Sequence, residues 1–251
     1  MMSKKKKTIK IVAISDTHNR HNKVKIPKCD LLIHAGDWSF QGQKSEVENF
    51  AEWLNKQDQC EEIVVIPGNH ERYLEDYMPE SLKWFTDKCP WAHLLIDQAI
   101  ELYGIKIYGS PVQPFFCDWA WNKARGAKDK LECIGQNASG YPKYKMFKPI
   151  KPHWDAIPDD TQILITHGPP YDILDKSVFA NGDPRPEPLG CEDLMNRIKE
   201  LKDLDLHFFG HIHAPGGQQV HKDGVSFYNV SVCDEHYAPT NGITIVEYEI
   251  L

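Results

Sequence analysis

Residues 9–18 read IKIVAISDTH: an apolar, largely β-branched run that breaks off at once into Asp16, Thr17 and His18. A run this short, bounded by polar residues, has the character of a buried strand. The arrangement recurs along the chain. Residues 31–35 lead into Gly36-Asp37, 63–66 into Gly68-Asn69-His70, 163–165 into Thr166-His167-Gly168, and 206–209 into Gly210-His211-Ile212-His213. In open α/β sheets ligands bind beyond the carboxyl ends of the strands, where loops carry side chains that the sheet holds rigidly. All of these polar clusters sit at that end. Asp16 with His18, and His211 with His213, are spaced i and i+2, so extended backbone would turn each pair to one side and suit chelation.

Outward from these runs, strands alternate with helices, which makes the fold class α/β. Residues 45–57 form the clearest helix, with Ser45 and Glu48 as a capping box and Val47, Phe50, Ala51 and Leu54 on one apolar face. Residues 79–88 (Leu82 and Phe85 on one side) and 191–201 (Leu194, Ile198 and Leu201 in register) are two more. Hairpins are expected at 100–102 with 105–108 around Gly104, and at 219–221 with 225–228 around Asp223-Gly224. Residues 242–248 suit a closing strand. The 251 residues are expected to form a single domain.

Between Ser110 and Asp160 the periodicity degrades, as in a functional insertion or a partly mobile stretch. This stretch interleaves Phe115, Phe116, Trp119, Trp121, Tyr141, Tyr144, Phe147 and Trp154 with Lys123, Arg125, Lys143, Lys145, Lys148 and Lys151. Such aromatics can stack on a base while cations meet phosphate, or they can simply pack the insertion onto the body.

Composition narrows the function classes. A net charge of −7 argues against broad nonspecific nucleic-acid binding. No apolar stretch approaches the ~18 residues of a membrane helix. The basic run Lys4 to Lys7 reads as a solvated tail with no hydrophobic signal region behind it, so a cytoplasmic protein is expected. The cysteines (Cys29, Cys60, Cys89, Cys117, Cys133, Cys191, Cys233) are odd in number and never spaced C-x-x-C, which fits reduced thiols.

Histidine, aspartate and asparagine without thiolate make a borderline-to-hard ligand set suited to Mn, Fe, Zn or Mg. A carboxylate can bridge two cations, and metals about 3.5–4 Å apart can hold a hydroxide and clamp an in-line phosphoryl displacement. Asp37 is the natural bridge, and the ions would attract phosphate despite the acidic chain. His34 and His207 lie inside apolar runs and read as core or supporting residues. His21, His93, His153, His221 and His236 lack a motif and receive no role.

Taken together and in order, the motifs D-x-H, G-D, G-N-H-[ED], a lone His after a strand, and G-H-x-H resemble those of the calcineurin-like metallophosphoesterases. Within that superfamily the chain looks most like the brain-type metallophosphoesterase-domain proteins and their microbial relatives, through residues 32–37, 68–71, 108–114, 163–170, 190–196 and 228–233. The resemblance implies a four-layer β-sandwich, two mixed sheets packed face to face and flanked by helices. It implies that Asp16, His18, Asp37 and His213 hold one divalent metal and that Asp37, Asn69, His167 and His211 hold the other, with manganese first. His70 would be the catalytic proton donor, and Asn122 and Arg125 would face the substrate. The implied activity is a phosphodiesterase on small nucleotide-type diesters, such as cyclic nucleotides, by attack of a metal-bridging hydroxide. The alternatives are a phosphomonoesterase, a nuclease on short RNA or DNA, and a non-catalytic scaffold of the same fold. No membrane partner is expected.

The chain departs from the family in two places. The G-D-x-x-D-R box reads Gly36-Asp37-Trp38-Ser39-Phe40-Gln41, without the second Asp and the Arg of the serine/threonine protein phosphatases, which weighs against a phosphoprotein substrate. A longer insertion also separates Arg125-Gly126 from Trp154 than in the brain-type relatives.

Overall fold

Ile11, Val12, Ala13 and Ile14 are all fully buried, so the first strand is covered on both faces and needs no polar alternation. The computed structural model describes residues 7–178 and 187–250, which leaves Lys4, Lys5 and Lys6 of the basic run outside the described residues. The chain opens with β1 (Lys7–Ile14), β2 (Cys29–His34), β3 (Cys60–Val65) and β4 (Ala92–Leu94). It continues through β5 (Gln98–Leu102), β6 (Ile105–Ser110), the short pair β7 (Gln113–Pro114) and β8 (Asn122–Lys123), and a ribbon of β9 (Lys130–Gln136) with β10 (Pro142–Phe147). Then follow β11 (Ile163–Thr166), β12 (Leu206–Phe209), β13 (Gln219–Lys222), β14 (Val225–Asn229) and β15 (Thr244–Ile250).

Two mixed sheets result. The first runs β15-β1-β2-β3-β4, with β15 antiparallel and the rest parallel. The second runs β13-β14-β12-β11-β6-β5, parallel in the middle and antiparallel at both edges. Ile9, Ile11, Leu31, Ile33 and Val64 of the first sheet pack against Ile107, Ile163, Ile165 and Phe208 of the second. The intervening side chains Val12, Ile14, Leu32 and Val65 pack under α1 (Lys44–Leu54), with α2 (Arg72–Asp76) and α3 (Glu80–Lys88) beside it. On the far side Tyr108, Leu164, Phe209 and Phe227 meet α4 (Lys151–Asp155) and α5 (Glu192–Ile198). The order is helix, sheet, sheet, helix, the four-layer sandwich expected. Among the described residues no helix is long and apolar enough to cross a membrane.

Several local expectations shift. The first helix is capped by Gln43 and Glu46, not by Ser45 and Glu48: the Glu46 carboxylate reaches back to the Gln43 N–H (2.9 Å) and also takes the Gln41 N–H. Glutamine is an unusual cap, so the familiar Ser was the stronger lure. The apolar face of that helix is as expected, with Trp53 added. Cys191 precedes α5 as its cap, and the helix ends at Ile198 rather than Leu201. Both expected hairpins form, as β5–β6 and β13–β14. The stretch 110–160 contains β7 to β10 and α4, joined by turns and irregular segments. Its ribbon exposes Leu131, Tyr144 and Met146, while Phe147 alone among these anchors inward, against Phe115.

Candidate metal centre

The strand-end motifs come together because their parent strands are neighbours: β1, β2 and β3 in one sheet, β11 and β12 in the other. Their backbones leave the sheet sharply. Asp16 (φ 52°), His18 (φ 40°), Asp37 (φ 55°) and His211 (φ 69°) are all left-handed, a conformation that non-glycine residues adopt rarely and that clusters at functional sites. This corrects the extended geometry expected for the i, i+2 pairs. Asp16 and His18 still meet, but His211 and His213 part to different clusters. Gly36 is required by crowding as well as by its φ of 98°, since a Cβ there would lie 2.6 Å from His167 Nδ1.

Three groups of ligand atoms converge: Asp16, His18 and His213; Asp37, His167 and His211; and His18, Asp37 and His70. In the first, His213 Nε2 lies 3.3 Å from Asp16 Oδ1 and 3.2 Å from His18 Nε2. In the second, His167 Nε2 lies 3.3 Å from Asp37 Oδ2 and 2.9 Å from Asn69 Oδ1. Asp37 Oδ2 is common ground, 4.0 Å from His18 Nε2 and 3.8 Å from His70 Nε2.

Four of the histidines are aimed the same way. His18 Nδ1 pairs with the Ser39 carbonyl (3.1 Å), His70 with Phe40 (2.5 Å), His167 with Ala35 (3.0 Å) and His213 with Asp234 (3.0 Å). A carbonyl only accepts, so each of these Nδ1 atoms carries a hydrogen and Nε2 is the atom each ring turns inward. Imidazole Nε2 atoms, carboxylate oxygens and the Asn69 carbonyl oxygen thus converge, a set of atoms that suits divalent cations. Such a cage is completed by cations.

The electrostatics agree. Burial alone would depress His167 and His213, but Asp37 and Asp16 push both up to about 9. Burial would raise Asp16, yet the hydrogen bond and charge of His213 hold it well below the carboxylate range, and His167 does the same for Asp37. Burial keeps His18 down at about 4 and His211 at about 3. Two imidazolium–carboxylate pairs therefore occupy the metal-free centre at neutral pH, at the atoms a cation would take.

Residues 9–215 match the profile of the calcineurin-like phosphoesterases. The chain belongs to this family. Metallophosphoesterase domain-containing protein 1 of Homo sapiens is 32% identical over 261 residues, covering 95% of this chain and 70% of that protein. A UPF0046 protein of Caenorhabditis elegans is 28% identical, covering 90% of this chain and 71% of its own length. Among solved structures, the phosphopantetheinyl hydrolase of Mycobacterium tuberculosis superposes with a TM-score of 0.52 at 14% identity, covering 94% of this chain and 95% of that one, a likeness of fold.

As a calcineurin-like phosphoesterase, the protein opens its centre to a cleft of about 500 Å³ floored by Asp37, Asn69, His70, His211 and His213. Phe115, Phe116, Trp119, Leu189 and Tyr237 form its walls. The indole of Trp119 stacks on His70 (centroids 4.4 Å apart, planes at 27°), and the Tyr237 ring stands edge-on to His18. The insertion therefore divides: Trp121, Phe147 and Trp154 pack inside, Phe115, Phe116 and Trp119 face the cleft, and Tyr141 and Tyr144 project into solvent.

Arg125 also lines the cleft, but its Nη1 and Nη2 donate to the Gly190 and Leu189 carbonyls (2.8 Å each). Asn122 is a correction. It lies behind the wall, buried, with its carboxamide donating to the carbonyls of Cys117 (2.8 Å) and Trp119 (3.0 Å), so it braces the turn that carries Trp119 instead of meeting a substrate. His34 and His207 are buried as expected, each bonded to the threonine beside a motif: Thr17 (3.1 Å) and Thr166 (2.8 Å).

Sequence reasoning missed the braces. Ser231 Oγ donates to Asp16 Oδ2 (2.7 Å), Ser15 Oγ does likewise, and Glu71 accepts hydrogen bonds from two motif loops. Glu71 was findable, because it closes the G-N-H-[ED] motif. The serines carry no spacing signal.

Proposed function

We propose that this calcineurin-like phosphoesterase is a two-metal phosphodiesterase acting on small nucleotide-type phosphodiesters. The observation that carries the reading is the inward array of histidine Nε2 atoms around a shared Asp37 Oδ2. The nitrogen and oxygen donors suit Mn, Fe, Zn or Mg, and the family resemblance puts Mn first. Asp16, His18, Asp37 and His213 would hold one ion, and Asp37, Asn69, His167 and His211 the other. A pair of divalent ions supplies hydroxide at neutral pH and neutralises phosphoryl oxygens.

The chain's own residues supply the rest. His70 faces the cleft through Nε2 with its ring fixed by Phe40 and Trp119, which suits a proton donor to the leaving oxygen. The walls of Phe115, Phe116, Trp119 and Leu189 offer an apolar surface to the organic group of a diester, which a simple phosphate would leave unused.

The test is a panel of Mn²⁺-loaded wild type, Asp37→Ala and His70→Ala on chromogenic mono- and diesters, cyclic nucleotides and short oligonucleotides. Diesters should exceed monoesters in kcat/KM, and cyclic nucleotides should exceed the chromogenic diester. Asp37→Ala should lose metal and activity together, whereas His70→Ala should keep its metal and slow by about 10²–10⁴-fold. Full Mn-stimulated activity in both variants would sink the mechanism. Wild type that neither takes up metal nor hydrolyses any ester would favour the scaffold.

A further inference from the structure

Glu71 follows the proton donor directly in sequence, is fully buried, and belongs to none of the ligand clusters. Its two oxygens are both occupied. Oε2 accepts the N–H of Asp37 (2.9 Å) and of Gly68 (2.6 Å), and Oε1 accepts the N–H (2.9 Å) and hydroxyl (2.8 Å) of Ser39. These donors come from two separate loops. One carries the shared carboxylate of Asp37, and the other carries Asn69 and His70. A return bond joins the same loops, from the His70 N–H to Asp37 Oδ1 (2.8 Å), which leaves Oδ2 as the oxygen facing both ligand groups.

Asp37 sits in the left-handed region at φ 55° and Gly36 at φ 98°, conformations that persist only where the surroundings over-determine them. We propose that Glu71 is the positioning residue of the centre: its carboxylate ties the Asp37 loop to the Asn69–His70 loop, so that bridge, ligand and proton donor keep one mutual geometry. The proposal rests on the phosphoesterase reading of the site. A glutamate side chain is suited to the task because its two oxygens can between them accept hydrogen bonds from both loops. The isosteric amide would turn N–H groups toward two of the donors, breaking half the clamp at constant volume, whereas aspartate keeps the acceptors and shortens the reach by one methylene.

The experiment compares wild type, Glu71→Gln, Glu71→Asp and Ser39→Ala by Mn²⁺ titration calorimetry and by steady-state hydrolysis of a chromogenic diester. Loss of such an outer support typically costs 10–100-fold in metal affinity or activity. Glu71→Gln should therefore bind Mn²⁺ and turn over more weakly by about that factor, with the loss in kcat and KM nearly unchanged. Glu71→Asp should recover part of both, and Ser39→Ala, which removes one donor of the four, should fall nearest wild type. If Glu71→Gln does not fold, Glu71→Asp against Ser39→Ala reads the same ranking. Wild-type Mn²⁺ affinity and kcat in folded Glu71→Gln, even with a lowered melting temperature, would overturn the clamp alone. Wild type that binds metal without hydrolysing leaves the affinity ranking to decide the clamp. Wild type that takes up no Mn²⁺ overturns the phosphoesterase reading and the clamp with it.

Discussion

His70 differs from the other inward histidines in how its aromatic neighbour meets it: the Trp119 ring stacks on it at 4.4 Å, whereas Tyr237 stands edge-on to His18 and His213. Aromatic stacking of this kind is worth about 0.5–1.5 kcal/mol beyond burial, which is up to roughly tenfold in rate if it serves the reacting geometry. Trp119→Ala should therefore lower kcat by up to about tenfold on diesters with poor leaving groups and less on activated ones. Bound metal, measured by elemental analysis, should stay at the wild-type level. An equal loss on both substrate types would place Trp119 in binding only. The convergence of these side chains was legible at this scale because each Asp, Asn or His follows an apolar run, where a sheet can hold it. The left-handed turns at Asp16 and Asp37 were not, since nothing in a D-x-H or G-D spacing distinguishes a turn from a strand. The bracing role of Glu71 was hidden for a related reason: three of its four donors are backbone N–H groups, which say nothing in a sequence.

Among the elements, the β9–β10 ribbon is joined to the body most lightly. Two strands paired only with each other are marginal in water, and here the ties are the Phe147–Phe115 contact and a partly exposed Lys145–Asp118 pair at 3.6 Å. A surface pair contributes about 0–1 kcal/mol. Replacing residues 130–145 by a short Gly/Ser linker while keeping Phe147 should then move the melting temperature by no more than about 4 °C, since 1 kcal/mol corresponds to roughly 2–4 °C at this chain length. Circular dichroism melting checks this, and a larger loss would mean that the ribbon supports the core. The same weakness explains what could be read. The strands of the sandwich announced themselves because both faces are buried, as at Ile11 through Ile14. The ribbon has almost no buried face, so its period-2 pattern is absent, and β7 and β8 are too short to show one. Helix α1 was legible by its apolar stripe and misplaced at its cap, because Gln43 does the work of a serine.

For the whole molecule, the metal centre and the pH dependence of stability are one problem. His167 and His213 are raised to about 9. A group raised in the fold binds protons that the unfolded chain releases, so its stabilisation is complete below about 6.5 and is lost as pH rises through about 9. His34 and His207 are held down at about 3 by burial, so they act in the other direction: the unfolded chain takes up their protons first, and stability falls as pH drops from 6.5 toward 3. The metal-free protein should be most stable between these limits. Metal binding needs neutral Nε2 atoms, so loading at neutral pH should expel the protons on His167 and His213, about two per molecule. Calorimetric Mn²⁺ titrations in buffers of different ionisation enthalpy count them directly. Because protons and metal compete for the same atoms, apparent affinity should climb from pH 6.5 to 9. Excess metal at about 1,000 times its Kd stabilises by about 4 kcal/mol, or on the order of 10 °C, and the gap between Mn-loaded and chelator-treated protein should widen over the same pH range. A gap independent of pH, with no protons released, would mean that the metals bind elsewhere than among these histidines.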